Sequence, residues 1–431
     1  MIINFSVQNF GSIKEKQTLS FEADRSDHLE EHYIINTNSN LRLLKLALIY
    51  GANASGKTTI LKALDFLRQL VLEPVEKKTD TLNFYPFLFD PQTPKQNSII
   101  SIDFIQNEVR YSYEVEFNKN AISKEELHFF NPNKANVFKR STDLDKQFSE
   151  ITFGNKIKKD KTFEKTLESN TLWNNSVLGG FLKTNIESKE LKEVIDWFAT
   201  HLKRLILTNT QLDNSITRNV ANSEINKFDI LNVLKKADFN ISDIILKEDK
   251  EMPESVLKIL TALDLPKEEI DKLINTPLKK IEFEHTVDKI KYTLPISQES
   301  QGTQRYYGFS GLLSLLVRKS IIIPIDELES SLHPELFTHF LLSFLINSKK
   351  SQIIATTHNR EILNNKDIFR NDSIWFTDKS ETCATELYSL SDFDSSIVRD
   401  TSNIFNAYKA GKLGGTPNLG DYYIDFNDED K

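Results

Sequence analysis

The sequence predicts an α/β protein, and three stretches carry that prediction. Residues 51–58, Gly-Ala-Asn-Ala-Ser-Gly-Lys-Thr, form a G-x-x-x-x-G-K-[ST] loop. The apolar run Leu44–Tyr50 leads into it and a helical pattern from Lys57 to about Leu70 leads out, the strand–loop–helix setting that this motif requires. Residues 321–327, Ile-Ile-Ile-Pro-Ile-Asp-Glu, read as a second buried strand ending on two acids. Residues 99–105 and 109–117 alternate apolar and polar side chains on either side of Gln106-Asn-Glu, the pattern of paired antiparallel strands.

The remaining elements follow in order. Ile2–Val7 and Gln17–Glu22 read as strands, and the N-terminus lacks the basic and long apolar regions of a signal peptide. Residues 74–98 are rich in turns, with prolines at 74, 86, 91 and 94, and residues 118–165 stay polar and strand-like up to the lysine-rich 156–161. From about 185 to 275 the spacing becomes helical, with segments at Leu191–Leu205, Ile225–Ala237 and Ser255–Leu273. Strands return at Lys279–His285 and Lys289–Leu294, and a helix starts near Ser300 and runs to about Arg318. The division expected is 1–165, the first part of an α/β domain with a β lobe; 166–280, a mainly helical insertion; and 281–431, the second part of that domain.

Composition narrows the function classes. The net charge of −8 argues against attraction of nucleic acid over the whole surface, though a local basic groove stays compatible with it. A single cysteine, Cys383, excludes an intramolecular disulfide and fits a reducing cytoplasm. No apolar stretch reaches the 18 or more residues of a transmembrane helix, so no membrane partner is expected.

The chemistry of the motifs points to a nucleoside triphosphate. Gly51 and Gly56 let the backbone curl so that successive N–H groups face phosphate oxygens, and the helix that follows adds its positive dipole end. Asn53, Ala54 and Ser55 make the body of that cradle and Thr59 closes it. Lys57 is placed to reach the β- and γ-phosphates and the Thr58 hydroxyl to ligate Mg²⁺. A glycine turn that merely joined strand to helix would need neither Lys57 nor Thr58. Asp326 would be carried to the Mg²⁺ by its strand, and Glu327 would polarise a water aimed at the γ-phosphate. A further buried strand, Gln352-Ile-Ile-Ala-Thr-Thr-His358, ends on a histidine placed to contact the γ-phosphate. Glu299-Ser-Gln-Gly-Thr opens a helix with free N–H groups and a hydroxyl, readable either as an anion site or as an ordinary serine cap.

Taken together, Gly51–Thr58, Ser300–Arg305, Ile321–Glu327, Glu329-Ser-Ser-Leu-His-Pro334 and Ala355–His358 resemble the ABC-type ATPase heads, in particular the soluble branch related to SMC, RecF and OLD proteins. The opening residues 3–14 are similar to the first strands of that branch. Tyr50–Thr58, Pro86-Phe-Leu-Phe-Asp90, Glu299–Thr303 and Ala407-Tyr-Lys-Ala-Gly-Lys-Leu-Gly-Gly-Thr-Pro417 resemble, more narrowly, the standalone RloA-like ATPases and the ATPase subunit of the PARIS anti-phage system. The resemblance implies an α/β head with an antiparallel β lobe and an inserted helical subdomain, binding ATP and Mg²⁺. It implies that Ser300 and Gly302 contact the nucleotide of a second copy, so that heads act as a homodimer or higher oligomer. It also implies a separately encoded toprim-like or RloB-like effector. Two departures stand out: Glu299-Ser-Gln-Gly-Thr replaces the transporter Leu-Ser-Gly-Gly-Gln, and His333 stands where transporter heads carry Asp.

Three functions fit these expectations. The first is a cytoplasmic ATPase switch that controls a partner in anti-phage defence. About 70 residues follow His358, too few for a fused toprim nuclease, and Asp392-Phe-Asp and Asp428-Glu-Asp read as loop and tail. The effector is therefore expected on another chain. The alternative is a DNA-repair or recombination ATPase that clamps DNA through Lys156–Lys161, Arg204 and Lys279-Lys280. A third reading makes the insertion a docking module, with Trp173, Trp197 and Phe198 as interface or core, core being the simpler expectation.

Overall fold

Leu46–Gly51 is buried at all six positions and is the middle strand of a five-stranded sheet. The sheet order is Ile322–Ile325, Gln352–Thr356, Leu46–Gly51, Ile374–Lys379 and Thr385–Ser389. Leu46–Gly51 runs parallel to both neighbours, with Ile353 opposite Leu46 on one side and Thr377 opposite Gly51 on the other. Parallel strands covered on both faces read as continuous apolar runs, which is why this region shows no alternation. The helix Lys57–Leu72 follows directly and buries Ile60, Leu64, Leu67 and Val71.

This computed structural model describes residues 1–159, 161–249, 278–393, 403–417 and 420. The chain forms two units, Met1–Leu205 with Ile322–Asp326 and Ile353–Lys431, and Ile206–Ile321 with Glu327–Gln352. Among the described residues no helix is long and apolar enough to cross a membrane.

The first unit also holds a seven-stranded antiparallel sheet, in the order Phe148–Phe153, Lys134–Asp143, Ile122–Phe130, Val109–Phe117, Ser98–Gln106, Ile2–Gln8, Gln17–Ser20. Tyr111, Tyr113, Val115 and Phe117 alternate along one face and are buried, as period-two patterning demands. Trp197 stacks on Phe104 at 4.0 Å and Phe198 is fully buried beside it, so both are core. Trp173 is half-buried, its indole N–H donating to the Lys78 carbonyl at 2.8 Å.

A buried ion pair crosses this sheet. Arg140 lies opposite Glu125, 3.3 Å away, with neither side chain exposed. Arg140 also donates to Ser149 Oγ and the Trp173 and Asn175 carbonyls, while Glu125 accepts from Tyr113 Oη at 2.8 Å and the Val177 N–H. Burial pushes the Glu125 carboxyl up and the Arg140 charge opposes it. Removing one partner leaves a buried charge without its counter-ion, which costs about 3–5 kcal/mol. Arg140→Met is therefore expected to lower the urea unfolding free energy by about that amount, and Glu125→Leu in the same background to recover part of it.

The second unit packs helices Leu212–Ala221, Lys227–Lys236 and Pro334–Asn347 around the largely buried helix Gln301–Arg318. Asp229 holds Arg318 through two bonds of 2.6 and 2.7 Å, and Tyr306 Oη meets His339 Nδ1 at 2.7 Å. Its own sheet is three-stranded and antiparallel: Asp243–Asp249, Leu278–Val287, Ile290–Pro295.

The structure corrects several sequence-based expectations. Helix begins at Lys161, inside the stretch read as strand-like, and a strand at Asp243–Asp249 interrupts the stretch read as helical. Its Ile-Ile-Leu core is flanked by charges and gains its place only by pairing with Leu278–Val287, far along the chain. The helix expected over Leu191–Leu205 stops at Asp196, because a five-residue π turn carries Trp197 and Phe198 into the core and Leu202 is extended. The strand at Gln17 ends at Ser20. The helix expected at Ser255–Leu273 and the acids of residues 428–430 lie outside the described residues.

Candidate nucleotide-binding site

The phosphate loop leaves the carboxyl end of the middle strand, where the sheet crosses over to the next helix. Two glycines are required there by contact. A Cβ on Gly51 would stand 2.4 Å from Thr377 Oγ1, and one on Gly56, whose φ is +102°, would stand 1.9 Å from Thr385 Oγ1. Neither position accepts a side chain without displacing Thr377 or Thr385. Gly56 precedes Lys57–Leu72 with no side-chain cap, and Ala54 is left-handed at φ +61°. The first N–H groups of that helix thus present a positive end at the loop.

Lys57 is buried, its Nζ donating to the Gly51 and Ala52 carbonyls at 2.9 and 3.0 Å. Thr58 Oγ1 donates to Asp326, 3.0 Å from Oδ1 and 3.2 Å from Oδ2, and Thr356 Oγ1 reaches the same carboxylate at 2.6 Å. Asp326 follows the Ile322–Ile325 strand and is buried. A threonine hydroxyl beside a carboxylate is the hard oxygen set that Mg²⁺ prefers, so the residues present fit the ion. His358 is exposed, two residues beyond the Gln352–Thr356 strand. Asn53 and Thr59 lie on the loop and the first helical turn, Thr59 N–H bonding the Gly56 carbonyl at 2.9 Å.

Sequence reasoning missed the hydroxyl groups that brace the loop from behind. Ser55 Oγ meets Thr377 Oγ1 at 2.6 Å, and Thr385 Oγ1 reaches the Ser55 carbonyl at 2.9 Å and Ser12 Oγ at 2.8 Å. Ser12 Oγ in turn meets Thr59 Oγ1 at 3.0 Å. Single threonines on short strands carry no sequence signal of this kind.

In the second unit, Ser300 caps Gln301–Arg318, its Oγ accepting the Thr303 N–H at 3.1 Å. The serine cap is therefore real. Glu299 before it is held by His285 Nε2 at 2.8 Å. Gly302 faces the Ser331 carbonyl, 3.4 Å from where its Cβ would stand. Glu327 directly follows Asp326 in a left-handed conformation at φ +46° and begins a turn in which its carbonyl accepts the Ser330 N–H. His333 caps Pro334–Asn347. Of the basic residues considered for DNA, Lys159 pairs with Glu164 at 2.7 Å and Arg204 with Glu73.

Strand, loop, helix and buried acid define a P-loop nucleotide-binding protein of α/β class. A family model described as "AAA domain, putative AbiEii toxin, Type IV TA system" matches residues 46–364, well over half of the chain, and the chain belongs to that AAA domain family. It is thus an ATPase of AAA type. No curated protein matches it significantly. Among solved structures it is similar to the SMC head domain from Thermotoga maritima, at 13% identity and a TM-score of 0.41 over 90% of this chain and 98% of that one. It is also similar to an Smc head bound to the C-winged helix domain of ScpA, at 12% and 0.43 over 90% and 97%. A third is the Pyrococcus furiosus Smc head with an extended coiled coil bound to the C-terminal domain of ScpA, at 11% and 0.36 over 96% and 98%.

Proposed function

We propose that this ATPase is a hydrolysing switch of RloA-like type: two copies close on ATP and Mg²⁺, and hydrolysis resets a separately encoded toprim-like or RloB-like effector in anti-phage defence. The observation that carries the nucleotide part is the Thr58 hydroxyl 3.0 Å from the buried Asp326 carboxylate, one residue along from Lys57. Thr58 and Asp326 would hold Mg²⁺, which when bound neutralises charge on the β- and γ-phosphate oxygens. Lys57 would exchange its two loop carbonyls for phosphate oxygens, and the N–H groups from Asn53 to Thr59 would complete the cradle. Glu327 would take a proton from the attacking water, and His358 would contact the γ-phosphate. Ser300 and Gly302 would meet the nucleotide of the second copy.

Phosphate release from ATP by the purified chain tests the enzymatic part. Turnover that requires Mg²⁺ and stops with chelator supports it; no release at any Mg²⁺ concentration overturns it. Co-purification of the chain with the product of its neighbouring gene tests the partner. A toprim-like or RloB-like protein held in an ATP-dependent complex is expected, and tight ATP-dependent duplex binding by the lone chain would favour DNA clamping instead.

A further inference from the structure

The Ala407–Pro417 motif stands out in the sequence, and the roles above leave it unused. Its structure joins it to the phosphate loop. The short helix Ile404–Lys409 packs on Glu361–Asn364, and Asn403 ties to Asn364 at 3.1 Å. The chain then turns through Gly411, Gly414 and Gly415, all left-handed. Gly415 N–H donates to Asp378 Oδ2 at 2.9 Å, and Tyr388 Oη donates to the Leu413 carbonyl at 2.9 Å. This places Gly415 against the first glycine of the loop: a Cβ added to it would stand 3.3 Å from Gly51 Cα and 3.2 Å from the Thr377 carbonyl.

Tyr408 fastens the strap. Its ring meets Tyr50 edge-on at 5.8 Å and Phe376 at 5.3 Å, and Arg360, two residues after His358, lies over it at 5.4 Å. Its hydroxyl donates to the Gly415 carbonyl at 2.9 Å, a buried bond. Burial pushes this phenol up to about 12, and the Arg360 charge and the facing Gly51 N–H act the other way.

We propose that Tyr408 is a positioning residue for the phosphate loop: through Gly415 it seats the Ile404–Pro417 strap on Gly51, and strap docking and ATP binding favour one another. This rests on the ATP-binding reading above. A strap that holds the loop in its cradle shape removes a cost from phosphate binding, and linkage makes the coupling reciprocal.

Two measurements on the full chain test this. In Tyr408→Phe, which keeps the ring and loses one buried hydrogen bond, ATP affinity is expected to fall about three- to tenfold. Gly415→Ala, which crowds Gly51 and strains a left-handed position, should fall in the same direction. Reciprocally, saturating ATP should slow amide hydrogen exchange across residues 404–417 in the wild type. If the wild type binds ATP, both variants bind it equally well and ATP leaves that exchange unchanged, the strap is only structural and the proposal falls. A loss of thermal stability in both variants with unchanged affinity overturns it equally. If the wild type binds no ATP, the nucleotide reading fails first and the strap's role with it.

Discussion

Replacing Glu327 with glutamine is expected to slow ATP hydrolysis about 10²–10⁴-fold, the usual contribution of a positioned general base, and to leave ATP affinity within about threefold. Glutamine keeps the length and hydrogen-bonding reach of the side chain but cannot take a proton from water. The residue stands directly after Asp326, at the point where the chain leaves the strand in a left-handed turn. Asp326 and Thr58, the residues proposed to hold Mg²⁺, are untouched by the change. Single-turnover phosphate release measures the effect directly. Hydrolysis at the wild-type rate would remove Glu327 from the mechanism.

Lys57→Ala is expected to weaken ATP binding about 10- to 100-fold, the range for losing a hydrogen bond to a charged group. The lysine donates to the Gly51 and Ala52 carbonyls, so the substitution also strips two partners from the base of the loop. The cradle should therefore lose definition as well as charge. Titration with a fluorescent ATP analogue measures it. An affinity unchanged by this substitution would show that phosphate is not held at residues 51–58.

Much of the candidate site was legible because its signals are local. The apolar run into Gly51, the glycine spacing, Lys57 and Thr58 all lie within about a dozen residues, and the Ile-Pro-Ile-Asp326 strand end is equally compact. The serine ahead of Gln301–Arg318 gave an equally local signal, but one that fitted an anion site as well as a cap, and only the structure shows the cap. What stayed hidden depends on pairing across the chain. Ile374–Lys379 and Thr385–Ser389 are short and partly polar, yet they flank the loop strand and supply Thr377 and Thr385 behind Ser55. The Asp243–Asp249 strand has charged ends, and only Leu278–Val287 gives it a ladder. Trp197 and Phe198 continue a helical spacing, but burying both against Phe104 required the helix to break into a π turn. Tyr408 was visible in a motif and mute about its role, because its contact with Gly415 and the loop strand is tertiary.

On the function proposed above, ATP closes two copies of this chain upon one another. Light scattering of Glu327→Gln with ATP and Mg²⁺, over a range of protein concentrations, tests it most directly. The predicted result is a species of twice the monomer mass or larger that forms with ATP and disperses when ATP is withdrawn. A variant that binds ATP and stays monomeric at every concentration would contradict it.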